Sequence, residues 1–553
     1  MLGRLTLTGA LLLSATTLAA QTREELMAEH RGGTLRLVAS AAGGTIDPQI
    51  NYTAQYWQLF QFAYDGLLTF RKAGGEEGGE VVPDLAEAMP EVSADGLTYV
   101  FTLRDGLLFS DGSEVGTDDV VASFQRIFKI SGPTAGTFYN GIVGADACIA
   151  EPATCTLQGG IEADEAARTV TFHLVRPDPE FILKISVPHA SILPAEAPTE
   201  DAGVNPLPGT GPYMFESYNP NESLVMVRNP HFAEWSVDAQ PDGFVDRIEY
   251  GFGLTAEAQV TAVQNGQADW MFDPPPTDRL AEMGTTYAEQ VHVNPLTAFW
   301  YAPMNVNMAP FDDVRVRQAV NLAIDRDALV GIFGGPVLAQ PACTILPPGF
   351  PGHVDDCRYT LNPGPTWTAP DMERARALVE ESGTAGMPVT VVVEDYTVAR
   401  EVGTYLQSVL SDLGYDASVN AISSNIHFTY IQNTNNDVQI SVSQWYQDYP
   451  AASNFLNVLL SCASFRPGSD SSVNISGYCN PELDAAMQAA MDLAVTDGDA
   501  ANEEWARIDQ AFMAEAPLAP LFTPKHVDFL STRVGNYVFS NQYKWVMSLA
   551  WVQ

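Results

Sequence analysis

Basic residues are scarce in this chain: 27 Lys and Arg stand against 68 Asp and Glu. So acidic a surface repels phosphate backbones and anionic lipid, which excludes nucleic acid and acidic membrane as partners. The excess does not by itself specify a cationic ligand, because a diffuse acidic surface also serves solubility or a saline habitat. Histidine is scarce too. The eight present are scattered, with no H-E-x-x-H among them, and no G-x-S-x-G elbow occurs. Acids are plentiful, but none stands out as half of a glycosidase pair. Low-complexity tethers and repeats are also missing, so a chain too long for one core must fold as interleaved lobes.

Long apolar runs are absent but for one. Arg4 precedes an apolar run from Leu5 to Leu18, and small residues follow at Ala19 and Ala20. That pattern is a secretory signal peptide over residues 1–20; the run is short for a bilayer of ~30 Å. No Cys follows it, which disfavours a lipid anchor. The mature chain is expected to be exported.

The six cysteines fall in local pairs, Cys148/Cys155, Cys343/Cys357 and Cys462/Cys479. In an exported protein this suggests three disulfides, with loops of ~15 residues worth roughly 3 kcal/mol each in the chain-entropy model. Zinc is the competing use, but neither C-x2-C nor a His pair accompanies them.

Periodicity gives the elements. Leu35 and Leu37 alternate with Thr34 and Arg36, a first strand, which "AGGTIDP" then breaks. In Tyr52–Phe70, Trp57, Phe60, Tyr64 and Leu67 share a helical face. Tyr99, Phe101 and Leu103 mark a half-buried strand set among three Asp-Gly turns, Asp95-Gly96, Asp105-Gly106 and Asp111-Gly112. Thr117 reads as the N-cap of a helix whose buried stripe is Val120, Val121, Phe124, Ile127 and Phe128. A calcium loop fails there for want of D-x-[DN]-x-[DN]-G spacing. "PVTVVVEDY" (388–396), flanked by amphipathic segments that stop at Gly383 and Gly414, reads as a buried parallel strand between helices. "GFGLTA" (251–256) imitates a dinucleotide fingerprint, but a lone instance in an exported chain is weak evidence.

The stretch "VVPDLAEAMPEVSADGLTYVFTLRDGLLFSDGSEVGTDDVVASFQRI" closely resembles the signature region of family 5 extracellular solute-binding proteins, receptors of ABC importers. The resemblance continues, in family order, at "GTGPYMFESYNPNESLVMVRNPHF", "VDRIEYGF", "QNGQADW", "FDDVRVRQAVNLAIDRDALV", "QWYQDYPAASNFLNVLL" and "SGYCNPELDAAM". It implies an α/β, two-lobed periplasmic-binding-protein fold of the large type II class, with an extra subdomain in the first lobe. The expected division is 32–71, 208–290 and 525–553 for the lobe I core, 72–207 for the accessory subdomain, and 291–524 for lobe II. It implies no enzyme and no cofactor or metal. It points to a monomeric periplasmic receptor that passes an oligopeptide-like solute to a membrane permease. Oligosaccharide, opine or metal-chelate ligands are the alternatives within the family, and an exported hydrolase is the distant one.

In "SQWYQDYP", Trp445, Tyr446 and Tyr449 surround one carboxylate, Asp448. A carboxylate desolvated by rings binds an ammonium far better than an exposed one. In peptide-binding members the matching Asp pairs with the peptide α-ammonium and the matching Trp lines the pocket, so the resemblance carries those roles to Asp448 and Trp445. The sequence departs from the family just after, with "PAAS" where many members carry an acidic residue and Pro. Gly44 and Thr45, in "AAGGTIDP", would let an extended ligand approach the backbone. Phe138 or Tyr139, in "TAGTFYNG", would reach the cleft. Trp300 would wall it or pack in the core. No basic partner for a ligand carboxylate is identifiable from a motif.

Overall fold

The computed structural model describes residues 22–553, so the expected signal peptide lies outside the described residues. Thr34–Ala39 forms a strand whose burial alternates residue by residue, as Leu35 and Leu37 require. It is the second strand of a five-stranded sheet, running parallel to both its neighbours, Trp270–Met271 at the edge and Arg247–Phe252. Ser223–Arg228 and Tyr213–Asn219 extend that sheet antiparallel. Helix Ala54–Ala63 packs over it, burying Tyr56, Leu59, Phe60 and Phe62. The helix is shorter than its periodicity suggests: Tyr64 is already extended, and Leu68–Phe70 is a strand. The turn between them holds Gly66, where a Cβ would meet the carbonyl oxygens of Leu68, Ile185 and Ala190 at 3.1–3.4 Å.

The accessory part of the first lobe is a four-stranded antiparallel sheet, ordered Glu91–Val92, Thr98–Thr102, Thr169–His173 and Ile161–Asp164. Helix Thr117–Lys129 covers it with Val120, Phe124, Ile127 and Phe128 buried. The helix starts one residue earlier than expected. Gly116 is the N-cap, and the Asp119 carboxylate accepts its amide at 2.7 Å. The Thr117 hydroxyl donates instead to Glu165 at 2.7 Å.

The second lobe carries two sheets. Pro388–Glu394 runs parallel to Asp416–Ile422 and Ile440–Ser441. Helices Met372–Ser382 and Thr397–Asp412 flank it, and Gly383 (φ +70°) ends the first of these in the left-handed region. The other sheet orders Ala339–Pro341, Leu518–Pro524, Ala298–Pro303 and Ser443–Tyr446. Its two middle strands are buried at every position. Val291–Asn294 and His526–Phe529 pair antiparallel as a separate two-stranded sheet.

The cysteines form Cys148–Cys155, Cys343–Cys357 and Cys462–Cys479 disulfides, and no free cysteine remains. No described helix is long and apolar enough to cross a membrane.

Candidate functional site

A cavity of about 340 Å³ opens between the lobes. Strand Ser443–Tyr446 forms one wall, held in register by pairing Trp445 opposite Phe299 and Tyr446 opposite Ala298. The chain leaves the sheet after Tyr446, and Asp448 follows in an irregular turn secured at three points. Its amide donates to Asn454 Oδ1 at 2.9 Å, and Asn454 Nδ2 donates back to Asp448 Oδ2 at 2.6 Å. Gln542 Nε2 donates to the Asp448 carbonyl. Tyr52, from the first lobe, donates its phenol to the same Oδ2 at 2.5 Å. The second carboxylate oxygen, Oδ1, accepts from no described residue.

Asp448 is 4 % exposed. Burial pushes its carboxyl up to about 7, with bonds from Tyr52 and Asn454 and the field of Lys544 pulling the other way. Rings enclose it: Tyr52 meets Trp445 edge to face at 5.4 Å and stacks on Trp57 at 5.3 Å. Such an acid changes little with bulk water but strongly with a cation brought to its open oxygen.

The residues singled out from sequence divide sharply. Asp448, Trp445, Tyr446, Gly44, Thr45 and Trp300 all line the cavity. Phe138 and Tyr139 do not, and that expectation is corrected: both rings are buried in the accessory core. Phe138 packs edge to face on Tyr449 at 5.2 Å, and the Tyr139 hydroxyl donates to the Lys184 carbonyl at 3.1 Å. Pro133 is what this segment presents to the cavity. Tyr449 is likewise buried in the core, its hydroxyl beside Ser453.

The glycine segment is a row of backbone donors. Its carbonyls are taken: Asn51 Nδ2 donates to those of Gly43 (2.8 Å) and Thr45 (2.6 Å), and Tyr218 donates to that of Gly44. The amides of residues 41–45 donate to no described residue. Gly44 sits at φ +95°, a conformation only glycine adopts without strain.

Among the lining residues that sequence reasoning missed, Tyr52, Glu394, Asp273 and Lys544 bear most on the chemistry. Tyr52 had no signal beyond its place at a helix start. Glu394 ends the strand of "VVVEDY"; Gln444 Nε2 donates to it at 2.9 Å, and burial pushes its carboxyl up to about 7. Asp273 accepts from the amide and hydroxyl of Ser40 and from Gln259 Nε2, at 2.5–2.8 Å. Lys544 is a lone base in "NQYKW", and its ammonium lies 5.1 Å over the Tyr446 ring.

The family model described as "Bacterial extracellular solute-binding proteins, family 5 Middle" matches residues 80–466. The chain is similar to Di/tripeptide-binding protein 2 of Pseudomonas aeruginosa (strain UCBPP-PA14), 27 % identical, with 92 % of each chain covered. It is 28 % identical to the Dipeptide-binding protein of Escherichia coli (strain K12), over 74 % of this chain and 75 % of that one. In fold it matches the Escherichia coli murein tripeptide binding protein MppA with a TM-score of 0.81, at 21 % identity, covering 94 % of this chain and 98 % of the other.

Proposed function

This chain belongs to family 5 of the bacterial extracellular solute-binding proteins, and we propose that its solute is a peptide held by its α-ammonium at Asp448. One observation carries this reading: a buried carboxylate, ringed by Tyr52 and Trp445, keeps one oxygen unbonded within the cavity. An ammonium donated to that oxygen makes a charge-assisted hydrogen bond in low dielectric and holds the acid ionised. The unbonded amides of residues 41–45 supply donors for ligand carbonyls. Closure of the lobes buries the ligand without chemistry, and the loaded protein presents it to a membrane permease. The named relatives bind di- and tripeptides, and periplasmic residence with a cleaved leader fits the same reading. An oligosaccharide would want open ring faces, whereas Trp300 and Trp445 are 2 % and 8 % exposed.

The test is calorimetric titration with dialanine and N-acetyl-dialanine. Dialanine is expected to bind, and acetylation or Asp448→Asn is expected to weaken binding by roughly 10-fold or more. Equal binding of both ligands, or stabilisation by cello-oligosaccharides and not by peptides, overturns the proposal.

A further inference from the structure

Arg466, in the second lobe, is a half-buried cation with no anion to meet it. No acid among the described residues pairs with its guanidinium. Nη1 donates instead to the main-chain carbonyls of Ser131 at 3.1 Å and Gly132 at 3.0 Å, which lie 335 and 334 residues earlier in the chain. Both carbonyls belong to the turn that follows helix Thr117–Lys129 in the accessory part of the first lobe. A cation is stabilised there, because the last carbonyls of a helix lack partners and its macrodipole is negative at that end. The bases in the helix's own last turn are engaged elsewhere: Arg126 pairs with Asp47 at 2.5 Å, and Lys129 Nζ donates to Gln125 at 3.3 Å.

Each side of the contact is held by its own bonds. The helix closes when the Gly132 amide donates to the Ile127 carbonyl at 2.8 Å, with Ser131 at φ +52°. The Ser131 carbonyl takes no other described donor, and that of Gly132 also takes the Ala135 amide at 3.2 Å. Across the seam, the Ser461 hydroxyl accepts the Ser464 amide at 3.2 Å, and the Cys462–Cys479 disulfide ties the same turn down. The Arg466 amide donates to the Ser472 hydroxyl at 2.9 Å, which fixes where its side chain starts. Gly136 permits the close approach: a Cβ there would meet Arg466 Nη2 at 2.9 Å and the Ala463 carbonyl oxygen at 3.1 Å.

The contact lies at the rim of the cavity. Pro133, next to Gly132, lines it from one side, and Asp470 and Ser471, just after Arg466, line it from the other. We propose that Arg466 is a clasp that holds the lobes together at the cavity rim, by seating its guanidinium on the carboxyl end of helix Thr117–Lys129. It touches no ligand. Its bonds exist only while the two segments meet, so it slows opening and lengthens the stay of whatever the cavity holds. The proposal rests on the reading above only for its probe, dialanine.

The experiment measures dialanine dissociation by stopped-flow tryptophan fluorescence in the wild type, Arg466→Met and Arg466→Lys. Arg466→Met keeps the stem and removes the charge, and is expected to release dialanine roughly 10-fold faster while its association rate stays within about threefold. Arg466→Lys keeps the charge but not the fork, and should fall between the two. X-ray scattering of the ligand-free chains gives a second readout, in which Arg466→Met should have the larger radius of gyration. A dissociation rate unchanged in Arg466→Met overturns the proposal, as does a slower association that accounts for the whole loss of affinity. A lower thermal midpoint with both rates unchanged reduces Arg466 to a stabilising contact and also overturns it. If the wild type does not bind dialanine, the peptide reading falls by itself. The clasp is then decided by scattering, where equal radii overturn it.

Discussion

The phenol of Tyr52 and the carboxylate of Asp448, 396 residues apart in the chain, meet at 2.5 Å across the two lobes. The bond couples the lobes at the point where a ligand ammonium would sit. Tyr52→Phe removes a donor to a charged acceptor, an interaction worth roughly 1.5–3 kcal/mol. Dialanine affinity, measured by calorimetry, is expected to fall by about tenfold or more, with the amide and acid forms affected alike.

The same carboxylate sets a pH dependence. Burial raises Asp448 to about 7 and Glu394 to about 7, both above their ordinary values. Between those values the folded chain holds protons that the unfolded chain has released, so this contribution favours folding at the acid end. It is lost as pH rises through about 7. Without ligand, the urea midpoint is expected to fall between pH 5 and pH 8, and Asp448→Asn should flatten that fall. An unchanged slope in the variant would remove Asp448 from the account.

Gly44 supports a third prediction. Its φ of +95° is strained for any residue with a Cβ, although the nearest atom to such a Cβ is Asn51 Nδ2 at 3.9 Å. Gly44→Ala is therefore expected to cost about 1–2 kcal/mol through backbone conformation alone. Because the amides of residues 41–45 would turn with it, peptide affinity should fall together with the thermal midpoint.

Phe138 tests the opposite case. It is 2 % exposed and packs on Tyr449 within the accessory core, with no share in lining the cavity. Phe138→Ala is expected to destabilise the chain by roughly 3–5 kcal/mol while leaving dialanine affinity within about threefold. A large loss of affinity at full folding would place this ring in recognition after all.

The disulfides differ in the loops they close. Cys462 and Cys479 are 17 residues apart, and Cys148 and Cys155 only 7. In the chain-entropy model the longer loop gains about 3 kcal/mol and the shorter one less. The double variant Cys462→Ser/Cys479→Ser should therefore lower the denaturation midpoint more than Cys148→Ser/Cys155→Ser does.

What the sequence by itself determined follows from short-range rules. Alternation at Leu35 and Leu37 needs only the two-residue period of a strand, and the stripe from Val120 to Phe128 needs only the helical repeat. The cysteine pairs were legible because each partner lies within 17 residues of the other. Trp445 and Asp448 stood out because ring and carboxylate share one short segment. Only the tertiary structure decided which way side chains from distant segments face. It turned Phe138 and Tyr139 into the core, because their segment packs against Tyr449 and Phe124. It also brought Tyr52, Glu394, Asp273 and Lys544 to one cavity from four separate stretches of chain. No local period encodes that convergence: it depends on how segments far apart in the chain pack against one another around shared buried surface.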